Sequence, residues 1–239
     1  MEGTSSVRLK KVLKMALINK LTASQLIRPV LRLHSYCYRL SSELAIIISK
    51  EGLHPKHSIL EYESWFYNHV ETSWTVLDVG SNTGIMAHLL AGKVAKVYGI
   101  ELQQSLVEEA KKTFQLPNIE YFCADATCFF YQELQPIDCV VLSNVLEHIK
   151  NRSYFLHKLL TELPWRKPYE KRFLIRVPLI TREWIVMYKK RLGLEYRLDD
   201  THYIEYTQEQ FAQELGECNI RVVNLDIRYG EIYAICMSD

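Results

Sequence analysis

Apolar positions recur every three or four residues over 7–21 and again over 24–50, which predicts two amphipathic helices, with Pro29 tolerated near the start of the second and Glu51-Gly52 ending it. A third helix is expected after Ser58, where Ser58 as N-cap and Glu61 three residues on form a capping box. Ile59, Tyr62, Trp65, Phe66 and His69 would share its inner face. The pattern then changes. Short, mostly apolar runs, 76–79, 95–102, 119–127, 137–142 and 171–178, alternate with helical periodicity over 85–90, 103–114 and 154–163, as in a sheet buried on both faces. The segment 181–207 interrupts that alternation. Thr207 then opens a helix as N-cap, and 220–237 reads as a hairpin turning at Tyr229-Gly230. The predicted fold is α/β: a Rossmann-like, seven-stranded, mostly parallel sheet with an antiparallel last strand, plus an N-terminal helical cap. The division expected is a helical cap or substrate lid over 1–71 and a ligand-binding domain over 72–239, with an inserted substrate segment at about 179–206.

Composition narrows the class. A chain of 239 residues, 48% hydrophobic with formal net charge +1, can bury a full core and is too neutral to coat nucleic acid. The charge is uneven, however. Arg8, Lys10, Lys11, Lys14, Lys20, Arg28, Arg32 and Arg39 face only Glu2 before residue 40, so a basic helix against an anionic membrane surface stands beside the plainer reading of a solvated face. No apolar core with a small-residue cleavage site is visible near Met1, and the scattered Cys37, Cys123, Cys128, Cys139, Cys218 and Cys236 form no CxxC pair; a cytoplasmic protein with reduced thiols is expected.

The candidate chemistry begins at TVLDVGSNTG, residues 75–84. A strand runs into a glycine turn and then a helix, the context in which a nucleotide-like ligand lies against bare backbone. No Lys-Ser or Lys-Thr follows Gly84, which excludes a P-loop, and Asn82 breaks the dinucleotide GxGxxG. Asp78, two residues before Gly80, would repel a pyrophosphate but suits a ligand carrying an ammonium and a sulfonium. Glu101 ends the second strand, the place from which an acid hydrogen-bonds ribose hydroxyls.

Asp78, Gly80 and Gly84 resemble the D/E-x-G-x-G-x-G motif of class I SAM-dependent methyltransferases, with Asn82 in place of the middle glycine. Ser143-Asn144-Val145-Leu146-Glu147-His148 resembles the family's S-x-V-L-E-H stretch after the fourth strand. The resemblance covers roughly residue 74 to the C-terminus. It implies S-adenosyl-L-methionine as cofactor and S-adenosyl-L-homocysteine as product. Implied cofactor contacts are Asp78, Gly80, Ser81, Gly84, Glu101, Leu102, Asp125, Ala126, Ser143 and Asn144. Asp125 has two readings: acceptor for the adenine amino group, or cap of the turn that follows it.

Asn144, Glu147 and His148 have the spacing of one helix face, and His202 in the inserted segment offers a fourth group. The small-RNA 3′-terminal 2′-O-methyltransferases carry E-x-x-E-H here and use a metal; Asn144 stands where their first glutamate is, and no metal is assigned. Glu147, His148 and His202 are the catalytic candidates, with a histidine as general base. The expected activity is O-methylation of a sugar hydroxyl on a glycolipid, polysaccharide or nucleotide-sugar, or of another small acceptor, with nucleic acid an unlikely partner. HPKHSILEY, 54–62, looks like a stretch of methyltransferases from surface-polysaccharide clusters. The alternatives are an RNA 2′-O-methyltransferase, for which HYIEYT at 202–207 speaks, and a catalytically silent SAM-binding partner.

Overall fold

The computed structural model describes residues 20–49, 54–167 and 170–239. They divide into two compact units, one made of residues up to Lys56 with Tyr188–Tyr196, the other of His57–Met187 with Arg197–Asp239.

In the first unit the helix α1 (Lys20–Ile48) carries Pro29 inside it. The break expected between 21 and 24 is absent, because Thr22-Ala23-Ser24 contains no residue that stops a helix. The rest of the first expected helix, 7–19, lies outside the described residues, as does the Glu51-Gly52 stop. Leu31 is buried, and Lys189 Nζ donates to Ser35 Oγ at 2.8 Å and to His34 Nδ1 at 3.2 Å.

Two short helices come next, α2 (Lys56–Leu60), all but Lys56 in the second unit, and α3 (Tyr62–Asn68). The single helix expected after Ser58 is therefore split in two. Glu61 stands between the two with φ +44°, a left-handed conformation that ends one helix, and its side chain makes no cap hydrogen bond to α3. Tyr62, Trp65 and Phe66 are buried as expected, whereas Ile59 is mostly exposed, since the break at Glu61 turns it off their face.

The strands are β1 (Thr75–Val79), β2 (Lys96–Glu101), β3 (Ile119–Cys123), β4 (Cys139–Ser143), β5 (Lys171–Pro178), β6 (Arg221–Arg228) and β7 (Glu231–Ser238), in the order β3-β2-β1-β4-β5-β7-β6. The first five run parallel, and β7 lies antiparallel to both β5 and β6. The turn between β6 and β7 is Tyr229-Gly230 with φ +51° and +80°, the primed geometry that matches strand twist. Between the strands lie α4 (Ile85–Ala91), α5 (Gln104–Thr113), α6 (Arg152–Glu162), α7 (Trp184–Arg191) and α8 (Gln208–Glu217). Thr207 caps α8 through a reciprocal box with Gln210.

Every residue of β1 is buried, and alternate side chains serve two layers. Val76, Cys139, Val141 and Leu174 meet Trp65, Phe66 and Leu90 on one side. Leu77, Val79, Val140 and Leu142 meet Phe155, Leu159 and Phe211 on the other. At ~1.5–3 kcal/mol for each fully buried large side chain, these layers hold the strand ends, and the loops on them, in fixed positions.

Candidate functional site

The crossover from β1 to β4 is a topological switch point, since β2 and β3 lie on one side of β1 and β4, β5, β7 and β6 on the other. Ligands of open α/β sheets bind outside the carboxyl ends of the strands at such a point. Gly80, Asn82 and Gly84 in the loop after β1 have φ of +70°, +49° and +87°. Asn82 thus occupies the middle-glycine place in a conformation that asparagine tolerates better than most residues, and its Oδ1 accepts from Thr83 N at 2.7 Å. At Gly84 an added Cβ would stand 2.6 Å from the Tyr121 hydroxyl.

Glu101 holds this loop down. Its carboxylate accepts from Asn82 N at 3.0 Å and from Gln103 N at 2.9 Å, so the loops after β1 and β2 share one anchor. Leu102 beside it is largely exposed. Asp78 is buried with Oδ2 lacking a hydrogen-bond partner, and burial, then the neighbouring Glu101, pushes its pKa up to about 8. Ser81 Oγ is likewise buried and unpartnered. Two orphaned polar groups under a glycine loop fit the polar methionine end of S-adenosylmethionine. Asp125 accepts from both the amide and the hydroxyl of Thr127, at 2.8 and 2.7 Å, so its turn-capping reading is realised at least on Oδ1. The third strand stops at Cys123, and Ala124–Thr127 form the turn beyond it, with Ala126 O accepting from Tyr131.

Beyond β4 the chain departs from the expected helix face. Asn144 adopts φ +55° and donates its N–H to Arg176 O at 2.8 Å, and only Leu146–His148 form a 3-10 turn. Asn144, Glu147 and His148 are therefore not on one helical face: the left-handed Asn144 takes the chain out of helical register before the turn begins. Glu147 and His148 nevertheless meet His202, and one ligand atom from each lies within 4.8 Å of the others, so among the described residues these three could hold a cation.

Their surroundings fix how each side chain is presented. Thr201 Oγ1 lies 2.7 Å from Asp199 Oδ1 and 2.9 Å from His148 Nδ1. The Thr201 amide and hydroxyl hold Asp199 below the usual carboxylate range, so it accepts, the hydroxyl donates to it, and His148 must donate Nδ1–H to the hydroxyl. Nε2 of His148 is then left with its lone pair. Burial, then His202, lowers the His148 pKa, which keeps the ring neutral. His202 Nδ1 lies 3.3 Å from Glu205 Oε1. Burial raises Glu205, but His202, Arg182 and the Leu198 amide outweigh it and leave the carboxylate ionised, so His202 also donates from Nδ1. The two rings are edge-to-face with centroids 4.6 Å apart.

Glu147 is fully buried, and neither of its oxygens has a hydrogen-bond partner. Burial pushes its pKa up to about 8 against its own backbone N–H and the Arg176 guanidinium. Arg176, itself buried, lies 3.6 Å from Glu231 and stacks on Tyr62 with 3.6 Å to the ring centroid. Sequence reasoning missed Arg176, Glu205 and the Asp199–Thr201 relay. Arg176 left a signal, a charge inside the run FLIRVP; the other two combine local contacts within 199–205 with one contact each to a distant residue, Thr201 to His148 and Glu205 to Arg182.

Residues 76–163 match a family model described as a methyltransferase domain. Those residues carry a methyltransferase domain. S-adenosylmethionine is the cofactor of this domain, and β1 from Val76, its glycine loop and the Ser143–His148 stretch lie within the matched segment. Among solved structures, magnesium protoporphyrin IX methyltransferase from Synechocystis shares 15% identity at TM-score 0.56, covering 77% of this chain and 83% of that one. A SAM-dependent methyltransferase from Aquifex aeolicus shares 17% at TM-score 0.53, covering 77% and 89%. Both likenesses concern the fold alone. A mouse tRNA (uracil-5-)-methyltransferase homolog A is 47% identical over 55 residues, and a protein of Thermococcus sibiricus described as a probable ribosomal RNA small subunit methyltransferase A is 29% identical over 68. These segments are 22% and 28% of this chain but only 9% and 25% of the relatives.

Proposed function

We propose that this methyltransferase transfers the methyl group of S-adenosylmethionine to a hydroxyl, that of a sugar in a glycolipid, polysaccharide or nucleotide-sugar, with His148 as general base. The bound sulfonium supplies an electrophilic methyl; the protein's own task is to align the nucleophile and remove its proton. Asp78 and Ser81 receive the charged methionine end, Glu101 the ribose hydroxyls, Leu102 one face of the adenine and Asp125 the adenine amino group, while Gly80 and Gly84 leave the backbone bare. Ala126, Ser143 and Asn144 border the same ligand.

The observation that carries the reading is the Asp199–Thr201–His148 relay. Its hydrogen bonds assign the Nδ1–H tautomer and leave Nε2 as a neutral imidazole lone pair, able to accept a hydroxyl proton near neutral pH. An amine nucleophile would have less need of such a base. Tyr203, whose amide donates to Glu147 O at 2.7 Å, keeps its ring largely exposed beside the site, an apolar surface suited to the face of a sugar. Glu147 and His202 shape the acceptor side.

His148→Ala and Thr201→Val test the reading. Turnover should fall ~100-fold or more in His148→Ala and ~10-fold in Thr201→Val with homocysteine-product affinity within twofold; turnover unchanged in both overturns the base.

A second reading rests on Glu147, whose buried carboxylate beside His148 and His202 has the donor set of a divalent-cation site and brings the chain toward an RNA 2′-O-methyltransferase. Arg176, which offsets part of the Glu147 charge, speaks for the metal-free form. Full activity after exhaustive chelation supports the base; activity lost with EDTA and restored by a divalent ion supports the second reading.

A further inference from the structure

Along α1 the apolar residues Leu26, Val30, Leu33, Cys37, Leu40 and Leu44, and then Ile47, are separated by four, three, four, three, four and three residues. This is an unbroken 3.5-residue repeat, about 33 Å long at 1.5 Å per residue. All seven are exposed, Leu33 at 59%, Leu44 at 52% and Ile47 at 75%. Helical geometry sets the stripe opposite the side that makes the unit's own contacts. Leu31 is buried, Ser35 receives Lys189, and Leu31, Arg32, Ser35 and Arg39 line a cleft with Gly193–Glu195. The helix therefore has one satisfied side and one bare apolar seam.

We propose that the seam pairs with the α1 seam of a second copy of this chain, making the protein a dimer through a two-helix coiled coil. The period argues for a helix as occupant. A strict 3.5-residue stripe stays in register with another helix that supercoils around it, whereas a helix lying on lipid shows a broad face at 3.6 and a rim of basic residues. Here Arg28, Arg32 and Arg39 lie on the far side of the helix from the seam. Area argues for a partner of the same length. The exposed parts of the seam side chains, with neighbouring Tyr36 and Ile48, amount to roughly 700 Å² per helix, close to the ~800 Å² per partner of a stable interface. Charge permits a copy of itself. The positions flanking the seam are Ile27, His34, Ser41 and Ile48 on one edge and Pro29, Tyr36 and Glu43 on the other, so two-fold pairing sets no like charges opposite one another. Leucine dominates one seam position, and Val30 in the other favours two strands over three.

The test is the solution mass of the full chain by light scattering from about 1 to 100 µM, for wild type, for Leu33→Lys with Leu40→Lys, and for Arg28→Glu with Ser42→Lys on the far side. The expected result is a dimer for wild type and for the far-side variant, and a monomer for the seam variant, whose thermal shift with S-adenosylhomocysteine stays unchanged as proof that the methyltransferase domain is intact. A wild-type monomer at all concentrations overturns the proposal. So does a dimer indifferent to both lysines. A wild-type monomer that binds S-adenosylhomocysteine and floats with anionic vesicles would assign the seam to lipid instead, and one whose seam becomes reactive only after deletion of residues 1–19 would assign it to that segment.

Discussion

Asp78 is a carboxyl group buried beneath a glycine loop with one oxygen unpartnered, and Asp78→Asn separates what it does for the fold from what it does for the ligand. Its pKa is pushed up to about 8, from an ordinary value near 3.9. Between these two values the folded protein retains a proton that the unfolded chain has released. Stability contributed by the protonated group is complete below pH ~4 and is lost as pH rises to about 8, at up to ~1.4 kcal/mol per pH unit and ~5 kcal/mol in all. Local relaxation and entry of water lower this upper bound, and about 2–3 kcal/mol is the expected size. Asp78→Asn should therefore leave the ligand-free melting temperature unchanged at pH 5 and raise it by ~5–10 °C at pH 9. The same change removes the carboxylate that faces the ligand's ammonium, and the loss of ~1.5–3 kcal/mol weakens binding ~10–100-fold. Calorimetry at pH 7 in buffers of different ionisation enthalpy gives a second signature, because wild type must release close to one proton on binding and the variant none. The reasoning is refuted if the variant melts lower than wild type at pH 9, or if its affinity for S-adenosylhomocysteine is within twofold of wild type.

Three further outcomes follow from the same geometry. Gly84→Ala places a Cβ 2.6 Å from the Tyr121 hydroxyl at φ +87° and should cost ~1–3 kcal/mol in chemical denaturation, together with most of the cofactor affinity. Glu205→Gln removes the charge that Arg182, His202 and the Leu198 amide share, and should cost ~2–4 kcal/mol and lower turnover through loss of the His202 orientation; limited proteolysis within 197–206 should accelerate. Glu101→Gln keeps the shape but weakens the anchor on the Asn82 and Gln103 amides, and should raise the dissociation constant for S-adenosylhomocysteine ~10-fold with little change in turnover at saturation.

The sheet was legible in the sequence because its strands are short, mostly apolar runs set between helical periodicities, and the run Lys171–Pro178 emerges with both predicted ends. The hairpin at Tyr229-Gly230 was legible for a local reason, a two-residue turn requiring positive φ. Where the pattern misled, a single left-handed residue intervened. Glu61 splits the helix expected after Ser58, and Asn144 lifts the chain out of the helix expected to align Asn144, Glu147 and His148. Neither residue is glycine, so local spacing gave no warning. The site was legible to the extent that it lies at strand ends: Asp78, Glu101 and His148 are placed by β1, β2 and β4. His202 was named from its place in the inserted segment; the Thr201 contact that orients His148 joins residues 53 apart, whereas Glu205 meets His202 from only three residues away.

The central claim is methyl transfer to a sugar hydroxyl. Purified protein incubated with methyl-labelled S-adenosylmethionine and a host extract, then fractionated into RNA, lipid-polysaccharide and small molecules, tests it most directly. The account predicts label in glycolipid, polysaccharide or nucleotide-sugar as an alkali-stable methyl ether, reduced ~100-fold with His148→Ala. Nuclease-sensitive label would contradict the substrate class, and no label in any fraction, from protein that binds S-adenosylhomocysteine, would contradict catalysis itself.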